Sequence, residues 1–188
     1  MSITNKKIAI LRGINVGGKR KILMADLKQL FKKMGLNPVK TYIQSGNVIF
    51  HSKAHETVDQ LAKKIEDAVA AKYGFFVPVI VLTAKELEVC IEKNPYFQED
   101  DVDINRLHLT MLKKEPTHED IASSASLQSG PDKFTINGKN VFIYCADKYH
   151  KSKLTNRFFE NKLKVPATTR NWKTVLKLAE LVQQNTGD

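Results

Sequence analysis

A glycine-rich, cationic segment near the amino terminus has the residue types that bind an anion. Residues 12–21 contain three glycines and four cations and directly follow the apolar run 8–11. Glycine lets the backbone approach a ligand closely and adopt positive φ angles. Backbone N–H groups near a helix start, in a positive field, favour a phosphate. The structural alternative is a tight connection with solvated lysines, and this segment alone does not separate the two.

The same segment matches part of the phosphate-binding loop of nucleotide hydrolases. Gly13, Gly18 and Lys19 fit the spacing G-x-x-x-x-G-K, but Arg20 stands where a Ser or Thr would bind Mg²⁺. Residues 141–147 are similar to the second, acidic motif of such enzymes. The Asn-Gly turn beside them indicates an antiparallel strand, whereas these hydrolases use a parallel sheet. We therefore exclude triphosphate hydrolysis by that mechanism and keep phosphate binding.

Two later segments, residues 151–153 and 169–171, put small polar residues and cations where helices are predicted to begin. Ser152 and Asn171 are explained as helix caps. The cations Lys151, Lys153 and Arg170 are not, because a cation at a helix N-terminus opposes the helix dipole. A bound anion would relieve that cost.

Metal and thiol chemistry are not supported. The five histidines form no H-E-x-x-H pair, and the acidic residues 101–105 lack the glycine and glutamate of a calcium loop. Cys90 and Cys145 lie in apolar patterns, which predicts buried reduced thiols. His108 alternates with apolar neighbours on a predicted strand, which favours a surface position or a supporting role over catalysis. We expect no metal and no cofactor.

Hydrophobic periodicity predicts the order β-α-β-β-α-β twice. The resulting fold class is α+β, with two ferredoxin-like βαββαβ subdomains, a structural duplication with antiparallel sheets, plus extra helices. The first subdomain spans residues 1–83 and carries the glycine-rich loop. Residues 84–104 form a helix with a Thr83–Glu86 capping box and an acidic linker, and residues 105–188 form the second subdomain. The predicted helices of the second subdomain are 117–122, 154–163 and 171–184, and its last strand is 165–169.

The charge of the chain is positive and unevenly spread. The 188 residues have a formal net charge of +10, with 14 Lys and Arg against 5 Asp and Glu in residues 1–83 and 11 against 2 in residues 133–177. Two basic blocks predict a cationic face made from both halves. The expected partner is a nucleic acid, a nucleotide or a phosphorylated small molecule. No apolar run approaches the ~20 residues of a membrane span, so we expect a soluble cytoplasmic protein with no membrane partner.

Four motifs resemble an uncharacterised bacterial family, domain of unknown function 1697. They are Leu-Arg-Gly-Ile-Asn-Val-Gly-Gly at 11–18, Tyr-Ile-Gln-Ser-Gly-Asn-Val at 42–48, Lys-Ser-Lys-Leu at 151–154 and Thr-Thr-Arg-Asn-Trp-Lys-Thr-Val at 168–175. The resemblance covers essentially the whole chain. It implies a two-part α+β fold with ferredoxin-like halves and implies no activity.

Three functions stay open at this point. The first is binding of a phosphate-bearing ligand at a basic site shared by the two subdomains. The second is an enzyme acting on a small phosphorylated or anionic substrate, for which the motif loops offer no obvious acid, base or nucleophile; the third is a structural or assembly protein. The candidate anion-binding residues are Arg12, Gly13, Asn15, Gly17, Gly18, Lys19, Gln44, Ser45, Asn47, Lys151, Ser152, Lys153, Thr169, Arg170 and Asn171.

Overall fold

The structure is a computed structural model that describes residues 6–53, 55–98, 101–125 and 130–184. By internal contacts the chain forms two compact units. Unit 1 consists of Met1–Leu87 with Leu178–Asp188, and unit 2 consists of Glu88–Lys177. The sequence-based boundaries 1–83, 84–104 and 105–188 stay a prediction.

Unit 1 is built on a four-stranded antiparallel sheet. Its elements are β1 (Lys6–Leu11), α1 (Met24–Lys33), β2 (Val39–Tyr42), β3 (Asn47–His51), α2 (Val58–Tyr73) and β4 (Val79–Thr83). The strand order is β2-β3-β1-β4, and each neighbouring pair is antiparallel. The βαββαβ order with this strand order confirms the predicted ferredoxin-like arrangement.

The unit 1 core forms where the helices cover the sheet. Leu27, Phe31 and Ile65 are buried in one cluster with Leu11 and Phe50. The rings of Phe31 and Phe50 meet edge to face at 5.4 Å. Alternating inward residues on the strands and helical spacing on α1 and α2 give this packing.

Unit 2 repeats the same topology. Its sheet elements are β5 (Leu107–Leu112), β6 (Lys133–Asn137), β7 (Asn140–Tyr144) and β8 (Ala167–Asn171), joined by α4 (His118–Ala125) and α5 (Asn156–Leu163). The strand order is β6-β7-β5-β8, all antiparallel. The two four-stranded antiparallel sheets with helices confirm the predicted mixed α+β class.

Helices α3 (Ala84–Glu92) and α6 (Trp172–Gln183) are the additional helices. Both contribute residues to unit 1 and to unit 2. The predicted capping box at the start of α3 is confirmed, since the Glu86 amide donates to Thr83 Oγ1 at 3.1 Å and Glu86 Oε2 accepts from the Thr83 amide at 2.7 Å. The predicted acidic linker lies partly outside the described residues.

Two expectations for single residues have different outcomes. The thiols of Cys90 and Cys145 are free and buried, as predicted, and burial raises their pKa to about 12 and about 11, respectively. Of the two alternatives expected for His108, the surface position is wrong. Every residue of β5 is buried, because this central strand is covered on both faces, and the His108 ring stacks on Tyr149 at 4.4 Å.

No helix among the described residues is long and apolar enough to cross a membrane. Within the same ranges, no three His, Cys, Asp or Glu side chains come together as potential metal ligands.

Candidate functional site

The glycine-rich loop of unit 1 is a tight hairpin. Gly17 and Gly18 have φ angles of 56° and 74°, and the Lys19 amide donates to the Val16 carbonyl at 3.1 Å. Two successive positive φ angles in a two-residue connection are typical of a type I′ turn, which requires glycine or a similar residue. The hairpin therefore explains these two glycines without a ligand.

Asn15 holds the base of this hairpin. Its Oδ1 accepts from the Ile22 amide at 2.9 Å, and its Nδ2 donates to the carbonyls of Ile22 at 2.9 Å and Gln44 at 2.8 Å. Both amide hydrogens and the carbonyl oxygen are thus used within unit 1. Asn15 positions the loop, and no donor remains on its side chain for an anion.

The turn between β2 and β3 packs directly against the hairpin. Asn47 is fully buried, and its Nδ2 donates to the Tyr42 carbonyl at 3.1 Å and to Ser45 Oγ at 3.0 Å. The Leu11 amide donates to the Gly46 carbonyl at 2.8 Å. A Cβ at Gly46 would lie 2.7 Å from Ile14 Cδ1, so the two loops meet without space between them. The structure brings together the candidates of unit 1, which are Arg12, Gly13, Asn15, Gly17, Gly18, Lys19, Gln44, Ser45 and Asn47.

The placement of residues 151–153 at a helix start is wrong. Helix α5 begins at Asn156, because Thr155 Oγ1 accepts from the Phe158 amide at 3.2 Å and caps it. Lys151 ends a short 3₁₀ turn, Tyr149–Lys151, and Ser152 Oγ accepts from the Leu154 amide instead of capping a helix. Arg170 lies in β8 and directly precedes Asn171, after which α6 begins. The cost that a helix dipole imposes on a cation therefore gives no argument for an anion at residues 151–153.

The candidates 169–171 are part of the structure of unit 2. Thr169 Oγ1 lies 2.7 Å from Thr110 Oγ1 and donates to Asn156 Oδ1 at 3.1 Å. Arg170 is buried, its Nη1 donates to Thr168 Oγ1 at 3.1 Å, and burial lowers its pKa to about 10. Asn171 Oδ1 accepts from the Thr174 amide at 2.8 Å, which confirms the predicted cap.

Residues 151–153 instead line a cavity of about 430 Å³ in unit 2. Three segments enclose it: the residues before β6, the residues after β7 and the residues before α5. Its apolar lining includes Phe134, Leu154 and Phe158, and its charged lining consists of Asp132, Asp147, Lys148, Lys151 and Lys153.

Asp132 joins the walls of this cavity. Its Oδ2 accepts from Ser152 Oγ at 2.6 Å, and its Oδ1 accepts from the Ala146 amide at 2.8 Å. Both carboxylate oxygens are engaged with the other two segments. This pair therefore holds the cavity in shape, and Ser152 is a positioning residue.

The lysines of the cavity differ in their partners. Lys151 Nζ pairs with Asp147 Oδ2 at 2.7 Å, and this hydrogen bond lowers the pKa of the Asp147 carboxyl. Lys148 also lies near Asp147 and lowers the same pKa through its charge. Lys153 is exposed, and its ammonium group has no ion pair within the described residues.

Sequence reasoning missed Asp132, Phe134, Lys148 and Phe158. These residues are up to 26 positions apart from one another in sequence and meet only when β6 and β7 pair. Only the neighbouring Lys-Ser-Lys motif marked this region.

A predicted site shared by the glycine hairpin and residues 169–171 would involve both units, and it stays a prediction.

Residues 4–142 match the family described as protein of unknown function (DUF1697). This range includes the glycine hairpin and the turn at 43–46, but not residues 151–153 or 169–171. The comparison with curated proteins finds no match.

Among solved structures, a conserved bacterial protein from Streptococcus pneumoniae has a similar fold, with a TM-score of 0.75 and 29% sequence identity. The similarity covers 95% of this chain and 98% of that protein. The chain belongs to the DUF1697 family of proteins of unknown function.

Proposed function

We propose that the protein binds a small phosphate-bearing ligand with an apolar or aromatic portion, such as a nucleotide, in the cavity of unit 2. The observation that carries this proposal is one cavity that combines aromatic and aliphatic side chains with three lysines. Such a combination suits a ligand that is apolar at one end and anionic at the other.

The size and lining of the cavity support a small molecule. A volume of about 430 Å³ lies in the range of about 300–1,000 Å³ that is typical of small-molecule sites. Phe134, Leu154 and Phe158 would contact the face of a base or another ring. The charged groups would fix the orientation of the ligand.

The charges support an anionic group next to Lys153. Lys151 and Asp147 neutralise each other in an exposed pair, whereas Lys153 has no such partner in the described part of the chain. A lysine ammonium binds phosphate oxygens as a compact point charge with three donors. We assign the phosphate to Lys153, with Lys148 as a second cation.

The hydrogen bonds of Asp132 favour binding over catalysis by the Ser152–Asp132 pair. A serine nucleophile needs a base that takes its proton while its oxygen attacks. Here Ser152 Oγ also accepts from the Leu154 amide at 3.0 Å, and Asp132 also accepts from the Ala146 amide. These bonds give the cavity a preformed shape, which lowers the entropic cost of binding.

A thermal-shift screen of nucleotides, sugar phosphates and short oligonucleotides tests the proposal. We expect a mononucleotide to raise the Tm, since a ligand at about 100 times its Kd stabilises the folded state by about 2.7 kcal/mol. Lys153→Ala should weaken binding at least tenfold, because a charged hydrogen bond contributes about 1.5–3 kcal/mol.

Lys162→Ala is the matched control, since Lys162 is an exposed lysine of α5 outside the cavity lining. It should leave binding unchanged. Equal affinities of the wild type and Lys153→Ala would contradict the proposed site. A screen without any stabilising phosphate compound would contradict the proposed function and favour an assembly role.

A further inference from the structure

We propose that the end of unit 1 that carries the glycine hairpin binds the sugar–phosphate backbone of a single-stranded nucleic acid. This hairpin surface consists of the cations Lys19, Arg20 and Lys21 and the apolar side chains Val16, Leu23, Ile43 and Phe76. It belongs to unit 1 and does not depend on the small-molecule cavity proposed in unit 2.

Backbone and side-chain hydrogen bonds place these residues at one end of the unit 1 sheet. Just after β1 ends at Leu11, the Arg12 amide donates to the Pro78 carbonyl at 3.0 Å, which brings in the segment that carries Phe76. The Asn15 side chain reaches the Gln44 carbonyl, next to Ile43. The hairpin, the 43–46 turn and the 74–78 segment therefore meet at this end.

The apolar side chains of this surface are unusually exposed. Exposed fractions are 65% for Val16, 69% for Leu23, 47% for Ile43 and 57% for Phe76. Within the described ranges these are the large hydrophobic residues classed as exposed, and all four lie at the same end of one sheet. Exposed apolar side chains that are grouped and bordered by charged residues mark interaction surfaces.

The cations next to these apolar side chains favour a ligand with several negative charges. Lys19, Arg20 and Lys21 are exposed, and none forms an ion pair within the part of unit 1 that the structure describes. Three successive cations repel one another, and a strand of phosphates would neutralise them together. Single-stranded nucleic acids bind to surfaces that combine cations along the backbone with aromatic side chains on which bases stack, and Phe76 is the aromatic residue of this surface.

The backbone of the hairpin favours phosphates over an acidic protein surface. Gly17 and Gly18 are exposed, and a Cβ added at either would meet nothing within 4 Å, so a ligand can approach this turn. A phosphate oxygen can approach such N–H groups closely. The Asn15 hydrogen bonds fix the loop beforehand, so little conformational entropy is lost on binding.

Fluorescence anisotropy with a labelled oligothymidylate tests this inference. We expect saturable binding that weakens steeply with salt, with a slope of about 0.7 per phosphate contact. The Lys19→Ala/Lys21→Ala variant should bind at least tenfold more weakly and with a shallower salt slope. Lys153→Ala should leave oligonucleotide binding unchanged, which separates this surface from the unit 2 cavity.

The matched control is Lys32→Ala/Lys33→Ala, which removes two exposed lysines from the other end of α1. It should retain most of the affinity. The inference is overturned if the oligonucleotide does not bind at low salt, or if both double variants lose the same affinity. It is also overturned if polyglutamate of similar length competes as well as unlabelled oligothymidylate, since the surface would then recognise acidic polypeptide.

Discussion

At the scale of single residues, the sequence indicates which side chains are polar and important, but it does not show whether they bind a ligand or hold a loop in place. The motif residues Asn15 and Asn47 have the polar groups that orient a ligand, and sequence reasoning assigned them to one. In the structure Asn15 donates to the backbone of its own loop and of the 43–46 turn, and Asn47 donates to the Tyr42 carbonyl. An asparagine that positions a loop and one that binds a ligand look the same in sequence, because the difference lies in which carbonyls the fold brings near.

Glycine substitutions should separate backbone strain from crowding. Gly17→Ala should cost about 1–2 kcal/mol, because its φ of 56° is unfavourable for alanine while its surroundings are open. Gly46→Ala should cost about 1–3 kcal/mol more, since its Cβ would also lie 2.8 Å from Leu11 Cβ. Urea unfolding measures both. Equal losses would show that crowding at Gly46 is absent.

Acid should destabilise the protein partly through His108. Burial lowers the pKa of His108 below its ordinary value of 6.5, and a weaker hydrogen bond to the Arg106 carbonyl opposes this. The unfolded chain therefore takes up a proton first as the pH falls. The contribution of His108 is fully present above about pH 6.5 and is lost below it.

His108→Phe, which keeps a ring against Tyr149, should flatten the dependence of the unfolding free energy on pH between 7 and 5. The pKa of His51 is also lowered, by burial and by Lys6, so part of the acid sensitivity should persist in His108→Phe. An unchanged profile in His108→Phe would contradict this assignment.

At the level of elements, helix ends that are set by neighbouring residues could be predicted from the sequence. The end of a strand that is set by pairing with a distant strand could not. The capping box at Thr83 and the cap at Asn171 were readable because both partners lie within three residues. The start of α5 was placed too early, since apolar Leu154 continues the helical pattern although Thr155 is the cap. The last strand extends further than predicted, because pairing of Arg170 with Leu109 is set by a strand about 60 residues away.

The hydrogen bonds of Asp132 should stabilise the walls of the unit 2 cavity. Asp132→Ala leaves the Ala146 amide and Ser152 Oγ without this acceptor, so we expect a loss of about 2 kcal/mol and faster hydrogen exchange at Ala146. Asp147→Ala is the control, because its ion pair with Lys151 is exposed and should contribute little to stability. Equal effects of the two substitutions would argue against this role of Asp132.

At the level of the whole molecule, the duplicated topology could be predicted from the sequence. Which residues belong to each of the two units was harder to predict. Element order alone indicates two βαββαβ units, and both sheets have the corresponding strand order. The grouping of residues 178–188 with unit 1 has no local signal, because α6 is a continuous amphipathic helix. Its last residues are assigned by contacts made far away in sequence.

Truncating a side chain near the end of α6 should therefore weaken unit 1. Leu181 is buried, and Leu181→Ala should cost about 2–5 kcal/mol. Hydrogen exchange should become faster in β1, whereas Leu109→Ala in β5 should act mainly on the unit 2 sheet. If Leu181→Ala accelerated hydrogen exchange in β7 but not in β1, the assignment of the end of α6 to unit 1 would be contradicted.

The central claim, a small phosphate-bearing ligand in the unit 2 cavity, is tested most directly by amide chemical shifts during a titration with a mononucleotide. We predict saturable shifts at Ala146, Lys153 and Leu154 that require a much higher ligand concentration in Lys153→Ala. Shifts confined to Gly17 and Gly18, or no shifts at any concentration, would contradict it.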